Sequence, residues 1–116
     1  MAARIELVID CADPDGLVAF WSEALGYRLH GASGPYRSIV PVEGDGPKLI
    51  LQQVPEPKAG KNRMHLDIKA DDIEAEAARL EAIGARRLRQ SPVEEAGDRW
   101  ILMADPEGNE LCVCQC

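Results

Sequence analysis

The sequence predicts an α+β protein built from two tandem βαβββ modules, and three observations carry that expectation. One is an internal repeat: Arg4-Ile5-Glu6-Leu7-Val8-Ile9 overlays Arg63-Met64-His65-Leu66-Asp67-Ile68 without a gap. The second is a change in apolar period, from two within these segments to three and four in the stretches that follow each of them. The third is punctuation, since acidic turns open both predicted helices and glycines close them.

Each element has a local reason. Ile5, Leu7 and Ile9, and their counterparts Met64, Leu66 and Ile68, recur at every second residue, the period of a strand with one buried face. Asp13-Pro14-Asp15 and Asp71-Asp72 come next, and their carboxylates suit a helix N-terminus, where backbone N–H groups lack intrahelical acceptors. Leu17, Phe20, Trp21 and Leu25 form the apolar stripe of the first helix and Gly26 stops it. Ile73, Ala77, Leu80 and Ile83 do the same for the second helix, with Gly84 as the stop. A helix shorter by one residue brings Leu25-Gly26-Tyr27 over Ile83-Gly84-Ala85, so the repeat continues beyond the strand.

Three further extended stretches are expected in each half, at about 28–31, 36–42 and 48–54, then at about 86–90, 99–104 and 110–115. Gly44-Asp45-Gly46-Pro47 and Asp105-Pro106-Glu107-Gly108-Asn109 are the turns between them. Pro55-Glu56-Pro57-Lys58-Ala59-Gly60 links the halves. The expectation is one domain over residues 1–116, with module one at about 1–55 and module two at about 61–116.

A chain of 116 residues buries enough surface to hold a core without disulfides or a structural metal. Its 13 basic and 20 acidic side chains give a formal charge of −7, which repels polyphosphate and excludes non-specific nucleic-acid binding. Apolar runs are too short to span a bilayer, and MAARIELVID has no signal-peptide core, so no membrane association and a cytoplasmic setting are expected. Cys11, Cys112, Cys114 and Cys116 are expected as reduced thiols, because the last three alternate along a strand instead of forming a redox turn.

The segments DPDGLVAFWSEALGY (13–27), KNRMHLDIKADD (61–72) and MADPEGNELCV (103–113), in this order and spacing, resemble the vicinal oxygen chelate superfamily. That group includes glyoxalase I, extradiol dioxygenases and the fosfomycin and bleomycin resistance proteins. The resemblance is sharpest to the glyoxalase-like subgroup and spans nearly the whole chain. It implies that each module forms a curved mixed sheet, that paired modules enclose a ligand cavity, and that the protein is a homodimer binding a small molecule. With Ile5, Leu7, Met64, Leu66, Leu111 and Val113 on the helix side, alternation would turn Glu6, Val8, His65, Asp67, Glu110 and Cys112 toward that cavity.

In catalytic members of the superfamily, a divalent metal is held from the first and last strand of each module. Carried over residue by residue, this implies a metal set of Glu6, Gln52, His65 and Cys112, with Gln53 an equal choice beside Gln52. Glu6 stands where the family usually has His or Gln, and Cys112 stands where its familiar ending has Glu. A divalent Zn, Mn, Fe, Co or Ni ion is implied, or none, in which case Glu6 and His65 would form a hydrogen-bonded pair. A thiolate favours softer or tetrahedral binding over an open octahedral oxygen site. Cys112 also lacks the carboxylate that moves protons in glyoxalase chemistry, which argues against a faithful methylglyoxal isomerase. Glu110 is the candidate base, although its strand offset is two residues from the family position.

Glu6, Val8, His65, Asp67 and Trp100 are the expected substrate-binding residues, Trp100 as an apolar cavity wall or ordinary core. Trp21 is expected in the core and His30 on the surface. Arg86-Arg87-Leu88-Arg89 reads as a solvated strand edge, and Lys61, Asn62 and Arg63 either contact an anionic ligand group or cap the linker. Three functions follow: a small-molecule binding protein with a degenerate metal site; a metal-dependent lyase, epimerase or dioxygenase acting on vicinal oxygens; or an assembly module with a vestigial cavity.

Overall fold

Apolar residues at every second position settle as the edge strands of two sheets, one of four strands and one of five, each backed by one helix. The computed structural model describes residues 2–116, and the chain separates after Pro57 into two compact units.

In the first unit, β1 (Leu7–Cys11) lies parallel to β4 (Leu49–Gln53), and β2 (Tyr27–Ser33) and β3 (Tyr36–Pro41) complete the order β1-β4-β3-β2 with antiparallel pairings. The helix α1 (Pro14–Leu25) packs on β2, β3 and β4. Its stripe of Leu17, Phe20, Trp21 and Ala24 is buried with Ile39, Leu49 and Leu51, each large side chain contributing roughly 1.5–3 kcal/mol through removal from water. Asp13 caps the helix by accepting the Gly16 N–H at 3.2 Å. A Cβ on Gly16 would come within 2.6 Å of that carboxylate, so a larger residue there would make the Asp13 side chain shift. Gly26 closes the helix in the left-handed region, at φ 69°.

The second unit repeats the plan. Here β5 (Leu66–Ala70) is parallel to β9 (Glu110–Gln115), β8 (Asp98–Ala104) lies beside β9, and α2 (Ile73–Ala82) packs on β5, β8 and β9. Asp72 caps α2 through the Ala75 N–H at 3.1 Å. Ile73, Ala77 and Leu80 are buried with Ile68, Ile101, Met103, Leu111 and Val113. The position filled by β2 in the first unit is divided here into β6 (Arg86–Arg87) and β7 (Val93–Glu95), which both pair with β8. Both units are therefore βαβββ-like with mixed sheets.

Three expectations need correction. The opening strands begin at Leu7 and Leu66, not at Arg4 and Arg63, because the first ladder partners are Leu7↔Leu49 and Leu66↔Leu111. Ile5 and Met64 precede those ladders and are 75% and 76% exposed, so neither packs on a helix. The stretch expected at 86–90 shortens to two residues, and β7 forms inside a predicted loop. Ser91-Pro92 interrupts the ladder, and Val93 then resumes it opposite Trp100. The resulting β7–β8 hairpin turns through Ala96 and Gly97, at φ 53° and 81°, the positive values that a two-residue turn of matching twist requires. Among the described residues, no helix is long and apolar enough to cross a membrane.

Candidate functional site

In β5, Ile68 is buried toward α2 while Asp67 and Lys69 are exposed, so the odd-numbered residues face away from the helix. In β9, Leu111 and Val113 take the helix side, which turns Glu110, Cys112 and Cys114 to the same open face as Asp67. The parallel register sets Asp67 directly beside Cys112. His65 sits just ahead of β5, and its Nδ1 lies 3.1 Å from Asp67 Oδ1. The donor atoms of His65, Asp67 and Cys112 all fall within 4.8 Å of one another. On β8, Leu102 pairs with Cys112 and Trp100 with Cys114, and both are half-buried, giving this polar group an apolar flank.

Burial pushes the Cys112 thiol up to about 11, and the charges of Asp67, Cys114 and Glu110 add to the rise while Lys61 opposes it. Cys114 is raised by burial first and then by Asp67. Both thiols are therefore protonated near neutrality and are poor nucleophiles. The three donors nonetheless suit a metal. Bonds of about 2.0–2.3 Å to nitrogen, oxygen and sulfur put ligand atoms on one ion roughly 3–4 Å apart; the His65–Asp67 spacing of 3.1 Å falls in that range, and the Cys112 sulfur lies within 4.8 Å of both.

Glu110 is engaged elsewhere. Lys61 Nζ donates to its Oε1 at 2.6 Å, the Asn62 backbone N–H donates to Oε2 at 3.0 Å, and Lys58 Nζ stands 3.8 Å away. The Lys61 hydrogen bond, followed by that of Asn62, holds this carboxyl below its ordinary value against an opposing effect of burial. A carboxylate stabilised in its ionised form by these donors is a weak proton acceptor, which counts against Glu110 as a base. Lys61 and Asn62 thus tie the linker to the first residue of the last strand.

This clamp has a pH signature. A depressed folded-state pKa contributes stability that is present above the unfolded value near 4.5 and is lost as pH falls through the folded value. Glu110→Gln is therefore expected to flatten the loss of stability with acidification below about pH 4.5, measured by urea unfolding across that range. A slope equal to that of the unmodified protein would show that the clamp contributes nothing.

The first unit offers fewer donors on its matching face. Glu6 is exposed, with Oε2 3.4 Å from Lys48 Nζ. Val8 pairs with Ile50, and Asp10 pairs with Gln52. The Gln53 amide donates to the Ala12 carbonyl at 3.3 Å. Because Leu7↔Leu49 and Leu66↔Leu111 are equivalent rungs, Ile50 holds the place of Cys112 and Gln52 the place of Cys114. The Val8–Ile50 rung is the apolar counterpart of Asp67–Cys112. Asp67 is expected from the sequence as a substrate-binding residue and not as a metal ligand; the signal available for the latter is its spacing of two from His65. Trp21 is buried at 1% exposure, His30 is exposed within β2, and Arg87 pairs with Glu74 and Glu81 of α2.

Residues 6–114 match the family described as Glyoxalase-like domain. Among solved structures, a glyoxalase/bleomycin resistance protein/dioxygenase family enzyme from Burkholderia phytofirmans PsJN is similar with a TM-score of 0.77 at 16% identity, over 95% of each chain. A fosfomycin resistance protein from Listeria monocytogenes, complexed with Mn(II) and 1S,2S-dihydroxypropylphosphonic acid, has a TM-score of 0.78 at 12% identity over 98% of this chain and 90% of its own. A bleomycin-binding protein complexed with bleomycin reaches 0.69 at 16% identity over 99% of both chains. A comparison with curated proteins found no match.

Proposed function

This chain belongs to the glyoxalase-like domain family, and from that premise we propose that it binds a small organic molecule, with a metal site reduced relative to catalytic members. The observation that carries the reading is the open face of the second sheet. There the half-buried Trp100 and Leu102 flank His65, Asp67 and the buried Cys112. Apolar surface with a few convergent polar groups is the usual make-up of a small-molecule site. Support also comes from the relatives whose structures hold bleomycin and a dihydroxypropylphosphonic acid.

A second reading, a metal-dependent lyase, epimerase or dioxygenase, is favoured by the His65–Asp67–Cys112 group. A divalent ion held there would supply Lewis-acid polarisation of a substrate oxygen. His65 and Asp67 would orient the polar end of such a substrate, while Trp100 and Leu102 would exclude water from its apolar part. Glu110, engaged by Lys61 and Asn62, would hold the strand in place.

Calorimetric titration with bleomycin, 1,2-dihydroxypropylphosphonic acid and a panel of vicinal diols and hydroxyketones tests the proposal, with and without added Zn(II) or Mn(II). Saturable binding is expected with at least one probe. His65→Ala and Trp100→Ala should each weaken it about tenfold or more, equivalent to about 1.4 kcal/mol, with far-ultraviolet circular dichroism unchanged. Absence of saturable binding by every probe, or binding indifferent to both substitutions, would refute it. Turnover restored by one particular ion would favour the second reading.

A further inference from the structure

We propose that His65, Asp67 and Cys112 form a divalent-metal site contained within the second module, whose mixed nitrogen, oxygen and sulfur donors select Zn(II) or Co(II) over Mn(II). The inference deepens the reduced metal site of the preceding section and rests on it. It replaces the expected set of Glu6, Gln52, His65 and Cys112 with donors that the backbone of one sheet brings together.

The ladder supplies the first part of the argument. Asp67 and Cys112 are direct partners on one parallel rung, so their approach depends on backbone hydrogen bonding and not on a flexible loop. Strand alternation then gives His65 and Asp67 a common side, and their 3.1 Å contact is both an ion-pair distance and a spacing suited to neighbouring ligands on one ion. Leu111 and Val113 are fully buried on either side of Cys112, which anchors the sulfur donor in the core packing.

The first module supplies the second part. The rung equivalent to Asp67–Cys112 is Val8–Ile50, which has no donor, and Gln52 stands one rung further on beside Asp10. A metal set drawing one last-strand ligand from each module therefore lacks its counterpart at Ile50, while Asp67 provides a carboxylate that the expected set did not count. Chemistry decides the ion. Thiolate and imidazole favour zinc and its neighbours, whereas Mn(II) favours carboxylate, carbonyl and water. As the ion binds, Cys112 releases its thiol proton to water and the sulfur coordinates as thiolate. Three protein donors leave coordination positions over for water or an organic molecule.

The test is a Co(II) titration of the full metal-free chain, followed by near-ultraviolet sulfur-to-cobalt charge-transfer absorption and the visible bands, with no organic probe present. A saturable one-to-one signal is expected. Cys112→Ser should abolish the charge-transfer band, and His65→Ala and Asp67→Asn should weaken binding at least tenfold. Stoichiometric Zn(II) should displace cobalt, whereas a tenfold excess of Mn(II) should not. Glu6→Gln and Gln52→Ala should retain full affinity.

Absence of a saturable signal overturns the proposal, as does a charge-transfer band that persists in Cys112→Ser or displacement by Mn(II) as effective as by Zn(II). Dependence on Glu6 and Gln52 in place of Asp67 overturns it too. Circular dichroism identifies any variant that fails to fold, and Asp67→Asn, at an exposed position, keeps the test decisive if Cys112→Ser does so. Ion binding without organic-probe binding would leave this inference standing and remove the previous one; organic binding without ion binding would do the reverse.

Discussion

Trp21→Ala is expected to lower the unfolding free energy by about 3–5 kcal/mol, the range for removing a large aromatic side chain from a packed core. Trp21 is 1% exposed and meets Phe20 edge to face, with ring centroids 5.2 Å apart and an interplanar angle of 89°. Its helix covers β2, β3 and β4, so truncation opens a cavity that the flanking Leu17 and Ala24 are too short to fill. Domains of this kind have total stabilities of about 5–15 kcal/mol, and the change removes a large share of that. Urea unfolding followed by circular dichroism measures it. Trp100→Ala is the control: Trp100 is half-buried on the face opposite the helix and should lose less. Equal losses at the two positions would mean that the burial pattern does not govern the energetics.

Asp105→Ala comes next, with an expected loss of about 2–4 kcal/mol, because removing a buried acceptor leaves its donors without partners. Asp105 is 1% exposed. Its Oδ1 accepts the Glu107 N–H at 2.9 Å and the Asn109 N–H at 2.9 Å, and its Oδ2 accepts the Asn109 side-chain amide at 2.9 Å. The Asp105 N–H returns a bond to the Asn109 carbonyl at 2.8 Å, and Gly108 completes the bend at φ 88°, a value glycine adopts without strain. This turn aims β9, which carries both Glu110 and Cys112. Chemical unfolding and amide exchange at Glu107 and Asn109 measure the effect. A loss below about 1 kcal/mol with protection retained would show that the backbone bonds hold the turn unaided.

The site was legible in the sequence to the extent that it depends on alternation. His65, Asp67, Glu110 and Cys112 were expected on one face because residues two apart share a side of a strand; β5 and β9 alternate in that way at Asp67, Glu110 and Cys112, and His65 lies just ahead of β5 with its Nδ1 3.1 Å from Asp67. Their partners were not legible. Lys61 and Glu110 are 49 residues apart, and neither periodicity nor charge distinguishes a carboxylate clamped by the linker from one free to move protons. The repeat aligned Glu6 with His65 correctly, but ladder register was needed to show that the counterpart of Cys112 is Ile50 and not Gln52.

What the sequence determined by itself was everything governed by contacts a few residues long: two helices with their Asp13 and Asp72 caps, the Gly26 stop, the period-two strands and the duplication that orders them. Local backbone preferences and apolar spacing suffice for those. What only the tertiary structure decided was where each strand begins, the division of one strand into β6 and β7, and the meeting of Asp67 with Cys112. A strand exists only where a partner offers hydrogen bonds, and that partner is set by long-range packing whose register no local pattern encodes.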